Sequence, residues 1–340
     1  MSQASNTQMR CIEISQPGGP SVLVPALRER PQPEAGDVII KVTAAGVNYP
    51  DVLQRQGRYD VPPGASDLPG LEVAGTIVEV GADVTGFVVG DKVCALTPGG
   101  GYAEFVRTPA EQCLHIPPGV GMTEAATLPE VYYTIWFNLV MQGNLFQARR
   151  LLVHGGSGGI GSATIQLASA FGIEVFTTAS TDEACDFCRD LGAAVAINYT
   201  NEDYVTVVQD RTQGQGVNIV LDMVGGDYIQ RNLTCLAQKG RLINLYYLKG
   251  SKVELDMMPV LVKNLTLTGS LLRPQPLSVK AEIAAGLEKT VWPFFKEGKI
   301  RSVVSETFPL ERASEAHAMM EAGQHAGKIV LLTEYGRKLG

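Results

Sequence analysis

Apolar positions along the middle of the chain fall into two alternating rhythms. Leu151, Leu152 and Val153 form a short unbroken apolar run, the pattern of a strand buried on both faces. Beyond it Ile160, Ala163, Thr164, Leu167, Ala168 and Phe171 recur at helical spacing, and Gly172 stops the repeat. The alternation then returns. It predicts a strand over 173–178, a helix over 182–191, a strand over 195–199, a helix over 202–212 and a strand over 217–223. A helix reaching Ala237 and strands over 241–246 and 265–271 complete the series. That rhythm is the mark of a doubly wound parallel sheet. The earlier part of the chain reads differently, with strands over 37–44, 74–80 and 91–96 separated by glycine-rich turns, as in an antiparallel, barrel-like domain. A helical, aromatic-rich segment over 130–143 leads into the sheet, and a long helix over 277–296 and a strand over 328–333 follow it. The expected class is therefore α/β. Residues 131–275 form the parallel-sheet domain, and 1–130 with 276–340 form the other.

Between the first strand and first helix of the series stands His154-Gly155-Gly156-Ser157-Gly158-Gly159-Ile160-Gly161. Gly156, Gly158 and Gly161 have the G-x-G-x-x-G spacing of a dinucleotide loop. The first glycine permits a tight turn, the second lets a pyrophosphate approach the backbone, and the third lets helix pack on strand. Unpaired N–H groups at the start of the helix complete an anion site. Gly156, Gly158, Gly159, Ile160 and Gly161 are the candidate pyrophosphate contacts. Ligands of such sheets gather at the carboxyl ends of the strands, which adds Gly225 and the strand end at 244–247, with Leu245 and Tyr246, on the ribose or nicotinamide side. The end of the second strand, Thr178-Ala179-Ser180-Thr181, is small and neutral and leaves room for a 2′-phosphate.

Composition narrows the classes further. Of 340 residues, 45% are hydrophobic, ample for two cores, and no run approaches the length of a membrane span. A net charge of −7 argues against a general nucleic-acid binder. The six scattered cysteines read as free thiols, which places the protein in the cytoplasm. Cys185 and Cys188 form one C-x-x-C inside a predicted helix, where residues three apart share a packed face. The four histidines, at 115, 154, 317 and 325, have no metal-ligand spacing, and His154 reads as a packed, satisfied imidazole.

Several segments now carry a resemblance: Ala45-Gly46-Val47-Asn48, Pro69-Gly70-Leu71-Glu72-Val73-Ala74-Gly75, Gly90-Asp91-Lys92-Val93, Gly101-Tyr102-Ala103-Glu104, Leu191-Gly192-Ala193, Ile197-Asn198-Tyr199 and Gly327-Lys328-Ile329-Val330. Over 9–332 the chain resembles the medium-chain dehydrogenase/reductase superfamily. It is most similar to the zinc-independent quinone oxidoreductases of the zeta-crystallin-like branch. Gln54-Arg55-Gln56-Gly57-Arg58-Tyr59 and Pro62-Pro63-Gly64-Ala65-Ser66 are similar to segments of the stress-inducible quinone reductases in that branch. The resemblance implies a Rossmann domain with a GroES-like domain, NADPH as cofactor, a small quinone as substrate and no metal. Where zinc members carry Cys and His, this chain has Asn48 and Leu71, and a leucine cannot bind a metal.

Without a Lewis acid, the resemblance points to acceptors that take hydride readily: quinones first, conjugated enals, enones or enoyl thioesters second. Charge then develops on a carbonyl oxygen and must meet prearranged hydrogen bonds. The resemblance assigns Asn48 and Tyr59 to the acceptor pocket, Asn48 through its amide and Tyr59 as hydrogen-bond or proton donor; the plain alternatives are a turn residue and a rim aromatic. Leu53 stands where some relatives have a second tyrosine, Asp51 reads as a first-turn helix carboxylate, and Glu72 reads as structural. The resemblance puts Thr134, Leu271, Leu272 and Lys328 on the cofactor, with Ser180 and Tyr199 at the 2′-phosphate; Arg273 reads as a surface charge. The lysine that relatives place nearby is Ala184 here, beside Asp182 and Glu183, which weakens the preference for NADPH over NADH. A homodimer through the strand over 265–271 is expected. A reading of another class also stands: a non-catalytic NADPH-binding structural, sensor or RNA-associating protein.

Overall fold

The structure is a computed structural model that describes residues 7–323 and 325–339. The chain divides into two compact units. One takes in residues up to Tyr133 together with Arg273–Lys296 and the residues from Ser302; the other is Thr134–Leu272 with Glu297–Arg301.

In the first unit, β1 (Gln8–Ile14) and β2 (Leu23–Glu29) form an antiparallel pair. The main sheet uses β3 (Asp37–Gly46), β4 (Glu72–Val80), β5 (Lys92–Leu96), β6 (Phe105–Pro109) and β7 (Cys113–His115), with the later strands Val304–Pro309 and Lys328–Leu332. The expected antiparallel pairing holds through β3, β4, β5 and β7. Val304–Pro309 and Lys328–Leu332 are the exception and pair in parallel, because the helix Ala313–Ala322 between them returns the chain to the same end. Alternate residues of β3 and β4, among them Val38, Ile40, Val42, Val73 and Ile77, enter one core with Tyr102, Ile329 and Leu331. Between β3 and β4 lies a short helix, α1 (Tyr49–Arg55), with Pro50 in its first turn and Asn48 as its N-cap.

The second unit is the predicted parallel sheet. Its strands are β8 (Arg150–His154), β9 (Glu174–Ala179), β10 (Val195–Asn198), β11 (Val217–Asp222), β12 (Leu236–Asn244) and β13 (Thr266–Gly269). Their spatial order is β10-β9-β8-β11-β12-β13, with every neighbouring pair parallel. That is the Rossmann order, whose switch point lies between β8 and β11. The intervening helices are α2 (Gly159–Ala170), α3 (Asp182–Asp190), α4 (Tyr204–Thr212), α5 (Tyr228–Cys235) and α6 (Met258–Lys263). Leu152, Phe176, Ile197, Val220 and Leu242 pack one sheet face on Tyr204, Val208, Ile229 and Leu233 of α4 and α5. Cys185 and Cys188 are both buried in α3, and burial pushes the Cys188 thiol up to about 12, so the pair packs as expected.

Several boundaries differ from the sequence expectation: the strand expected over 241–246 is Leu236–Asn244, and the one expected over 265–271 is Thr266–Gly269. The helix expected to reach Ala237 ends at Cys235, because Leu236 already pairs with Val217 of β11; Lys239, at φ 59°, then marks an irregular turn before Arg241 resumes the ladder. The helix expected over 277–296 is two, Leu277–Thr290 and Trp292–Lys296, since Pro293 lacks the N–H needed to continue the first. Past Ile135 the segment leading into the sheet widens into a π-helix over Trp136–Gln142.

At the carboxyl end of β8, His154 is wholly buried. The Asn232 amide donates to the Asp222 carboxylate (3.2 Å), which leaves its Oδ1 to accept from His154 Nε2–H (2.8 Å) and Tyr204 O–H (2.9 Å). His154 Nδ1 is then the acceptor for the Thr178 hydroxyl (3.0 Å). Burial lowers the imidazole to about 4, so it stays neutral and ties β8, β9, α4 and α5 together directly beneath the glycine loop.

Candidate active site

The glycine loop begins at Gly155, in the left-handed region at φ 69°, and turns into α2. A Cβ on Gly161 would lie 2.2 Å from the Gly155 carbonyl oxygen, and one on Gly156 2.2 Å from Thr177 Oγ1, so close packing demands both glycines. Gly158 differs: a Cβ there would meet only the Gly155 oxygen, at 3.5 Å. Gly158 caps α2 without a side-chain bond, and the helical ladder begins with Ser162 N–H donating to the Gly158 carbonyl (2.9 Å). The N–H groups of Gly159, Ile160 and Gly161 precede that ladder and form the unpaired first turn. Open space at Gly158 beside unpaired donors fits a pyrophosphate.

Around this loop stand the other strand ends. Ser180 follows β9 and Tyr199 follows β10, both exposed, with Tyr199 N–H donating to the Ala179 carbonyl (3.1 Å). Gly225, at φ 67°, follows β11, and its N–H lies 3.3 Å from the Asp222 carboxylate oxygens. Leu245 and Tyr246 are half-buried past β12, where Leu245 N–H donates to the Asp222 carbonyl (2.7 Å). Thr134 is buried, its carbonyl accepting from the Asn138 amide (2.9 Å). Leu271 and Leu272 lie beyond β13, exposed and half-buried respectively.

In the first unit a second cluster forms where three strand ends and α1 meet. Glu72 opens β4, Lys328 opens the strand Lys328–Leu332 and Asn48 precedes α1, all three buried. Lys328 Nζ pairs with Glu72 Oε1 at 2.7 Å and donates to Asn48 Oδ1. The Asn48 amide donates to Glu72 Oε1 (2.9 Å), and Glu72 Oε2 accepts from Glu130 N–H (3.0 Å). Both ends of the Asn48 side chain, expected at the acceptor, are thus engaged inside the protein, and the Lys328 ammonium, expected on the cofactor, is held by the same pair.

A chain of hydrogen bonds that sequence reasoning missed adjoins this cluster. Asp51 accepts from the N–H groups of Asn48 (2.9 Å) and Gly70 (3.0 Å) and from the Tyr102 hydroxyl (3.3 Å). Tyr102 Oη lies 3.0 Å from His317 Nε2, and His317 Nδ1 lies 3.4 Å from Arg55. An arginine only donates, so Nδ1 accepts, Nε2–H donates to Tyr102 and Tyr102 donates to Asp51. Burial, helped by Arg55, lowers His317 to about 3 and keeps it neutral. Arg55 also pairs with Glu321 (2.7 Å), although its own side chain is wholly buried. Asp51 and Arg55 stand four apart on α1, a spacing that marks one helix face and was the available signal.

Tyr59 is half-buried after α1, with the Arg273 guanidinium 5.2 Å from its ring centroid. Burial pushes its phenol up to about 12, against the pull of Arg273, so it remains a hydrogen-bond donor at neutral pH. Arg273 is not the solvated charge expected: it donates to Gln54 Oε1 (3.0 Å) and the Pro98 carbonyl (2.9 Å).

Residues 159–287 match the zinc-binding dehydrogenase family, and residues 34–118 match the alcohol dehydrogenase GroES-like domain. Quinone oxidoreductase of Rattus norvegicus is 30% identical, over 95% of this chain and 98% of its own length. A 2-haloacrylate reductase from Burkholderia sp is 32% identical, over 94% and 98%. The chain belongs to the quinone oxidoreductase-like medium-chain dehydrogenases/reductases. A solved mycobacterial member complexed with NADPH is 31% identical and covers 95% of this chain and 100% of its own, with a TM-score of 0.84. The two units are thus a GroES-like domain and a Rossmann domain.

Zinc, which the name of the matched family implies, does not fit the residues that surround Glu72. Leu71 offers no donor, Asn48 is a neutral amide, and the Lys328 ammonium already neutralises the carboxylate. Breaking the Lys328–Glu72 pair leaves a buried charge. Lys328→Met is expected to cost about 3–5 kcal/mol in urea unfolding, and Lys328→Met with Glu72→Gln to recover most of it. A loss below about 1 kcal/mol for the single variant would mean that the pair is solvated.

Asp51 gives a pH signature. Burial raises its carboxyl from 3.8 to about 6, more than the bonds from Asn48 and Gly70 and the charge of Lys328 lower it. Between those values the folded chain keeps a proton that the unfolded chain has released. Its contribution is complete below the unfolded value and is lost as pH rises through about 6. Denaturation from pH 4 to 7 should show a decline of about 3 kcal/mol from this group, absent in Asp51→Asn. An identical pH slope in the two proteins would refute the assignment.

Proposed function

We propose that this protein is an NADPH-dependent reductase of quinones that works without a metal. When bound, NADPH supplies the hydride. Gly156, Gly158, Gly159, Ile160 and Gly161 hold its pyrophosphate, with Ser180 and Tyr199 at its 2′-phosphate. Thr134, Gly225, Leu245, Tyr246, Leu271 and Leu272 line the nicotinamide half. Tyr59 is the catalytic residue, its phenol donating to the acceptor oxygen as negative charge builds there, with Arg273 beside the ring favouring that charge. Asn48, Lys328 and Glu72 act behind it as positioning residues. Two observations support this reading, one in each domain: an open pyrophosphate cradle at Gly158 of the Rossmann domain, and a half-buried phenol kept protonated at Tyr59 of the GroES-like domain. The rat relative's name supports quinones. The Burkholderia relative's substrate favours a second reading, hydride addition to a conjugated alkene, which needs the same donor at the same oxygen.

The test is NADPH oxidation against ortho-quinones, para-quinones and a conjugated enal. Saturable turnover on quinones is expected, with Tyr59→Phe lowering kcat about a hundredfold while NADPH binding holds. Turnover on the enal alone would move the protein to the alkene reductases. NADPH binding without turnover on any acceptor would favour the non-catalytic reading, and full activity of Tyr59→Phe with unchanged pH dependence would remove the phenol from the chemistry.

The protein is placed in the cytoplasm, a reading supported by six free, buried thiols; among the described residues no helix is long and apolar enough to cross a membrane. The proposed homodimer pairs β13, at the edge of its sheet, across a twofold axis. Just before β13 in the chain, α6 and the residue ahead of it expose Met257, Met258, Leu261 and Val262, with Leu261 77% accessible. Light scattering should give twice the monomer mass, and Leu261→Asp with Val262→Asp should give the monomer; a monomeric wild type at micromolar concentration would overturn the proposal.

A further inference from the structure

Arg273 and Lys280, both in the GroES-like domain, are two cations drawn out of water without a carboxylate to match them. The half-buried Arg273 guanidinium donates only to neutral oxygens, Gln54 Oε1 (3.0 Å) and the Pro98 carbonyl (2.9 Å). Its Nε is buried and meets no acceptor, so the fold uses two of its five N–H groups. Lys280, on the helix Leu277–Thr290, is 8% exposed, and its Nζ donates to the Arg273 carbonyl (2.9 Å). Among the described residues neither side chain forms an ion pair. The carboxylate whose charge reaches Arg273 is Asp51, which acts through space and is itself held by the N–H groups of Asn48 and Gly70. Asp67, whose carbonyl accepts from the Gln54 amide (3.0 Å), turns its carboxylate to Arg28 (3.2 Å). Burial lowers both cations, and the Arg273 charge lowers Lys280 further. An arriving anion would relieve that cost, and a planar guanidinium with N–H groups to spare matches the paired oxygens of a carboxylate. Tyr59 stands beside it, its ring centroid 5.2 Å from the guanidinium.

We propose that the acceptor carries an anionic group, a carboxylate or sulfonate close to its reacting quinone or enone carbonyl, and that Arg273 binds this group with Lys280 in support. This rests on the reading of Tyr59 as donor to the acceptor oxygen. Gln54 of α1 and Pro98 hold the guanidinium beside the Tyr59 ring, so the anion and the reacting oxygen are gripped side by side. The same guanidinium then faces a fixed charge on the substrate as well as the developing one. Neutral acceptors are reduced without that attraction.

Two pairs of probes test it on the full chain. Calorimetry with 2-naphthoate and 2-naphthamide reads binding without turnover, and NADPH oxidation compares sulfonated 1,4-naphthoquinone with its neutral parent. The wild type should bind 2-naphthoate about tenfold or more tighter than 2-naphthamide, a preference that shrinks as salt rises. The two quinones differ in intrinsic reactivity, so the readout is the change in their kcat/KM ratio between proteins. Arg273→Gln should lower the sulfonate-to-parent ratio about tenfold or more and abolish the naphthoate preference. Arg273→Lys, which keeps the charge without the fork, should fall between. Lys280→Gln, which keeps an N–H donor and loses the charge, should lower the ratio about threefold, chiefly through KM. Arg58→Gln removes an exposed cation one residue from Tyr59 and should leave the ratio unmoved. Thermal melting confirms that each variant is folded. Equal binding of the two naphthalene probes, or binding of neither, would overturn the proposal, as would a ratio unmoved in both Arg273 variants; turnover of the neutral quinone would leave the reductase reading standing. Preference for 2-naphthoate without turnover of either quinone would sink the reductase reading and keep the anion site.

Discussion

Lys328 and Glu72 are buried together, and much of the GroES-like domain is arranged around keeping them paired. A carboxylate taken out of water is tolerated only when its oxygens find donors and its charge finds an opposite. Glu72 finds the Lys328 ammonium, the Asn48 amide and the Glu130 N–H. Each donor comes from a different element, so satisfying one side chain fixes the start of β4, the start of the strand Lys328–Leu332 and the entry to α1. The backbone agrees: that strand runs antiparallel to β3, with Val330 opposite Gly46. A Cβ on Gly46 would fall 2.1 Å from Glu72 Oε1, so the glycine is the space the carboxylate occupies.

The second buried carboxylate is handled by a different device. Among the described residues Asp51 forms no ion pair, and the charge of Lys328 acts on it only through space. It is met by two backbone N–H groups and a hydroxyl, and the polarity of that hydroxyl is set two residues away by Arg55, which acts through neutral His317. One end of this chain reaches Glu321 and the other holds the N–H of Asn48. The two carboxylates therefore share Asn48, one gripping its backbone and the other its side chain. A residue fixed at both places is a rigid base from which α1 sets out, and the loop after α1 carries Tyr59.

The sequence pattern made the Rossmann domain legible because each strand is an apolar run and each helix a separate repeat, with the glycine loop marking the first junction. Boundaries slipped where a long-range partner overrode local preference: Leu236 joins β12 because Val217 is there to receive it. The site was legible only in part. Gly161 and Gly158 announce their roles locally, one through packing and one through open space. Asn48, Glu72 and Lys328 each carried a reading, but nothing in their spacing showed that they meet. Arg273 looked like surface because its partners, Gln54 and Pro98, lie far off along the chain. His317 was set aside for lacking metal-ligand spacing, although its partners are a tyrosine and an arginine.

The buried lysine also bears on the chemistry. A metal with an open position polarises a substrate directly, and it must exchange that position at every turnover. Lys328 is a cation with its donors directed into the protein, at Glu72 and Asn48, so it stabilises geometry rather than a bound oxygen. On the proposed reading, the groups left to act on an acceptor are a neutral donor, Tyr59, and the guanidinium beside it. Such a pair is adequate only where the acceptor takes hydride readily and the negative charge that follows is delocalised or quickly protonated. Quinones and conjugated carbonyls meet that condition and simple ketones do not. On the proposed reading, the limit on substrate follows from where the positive charge is buried.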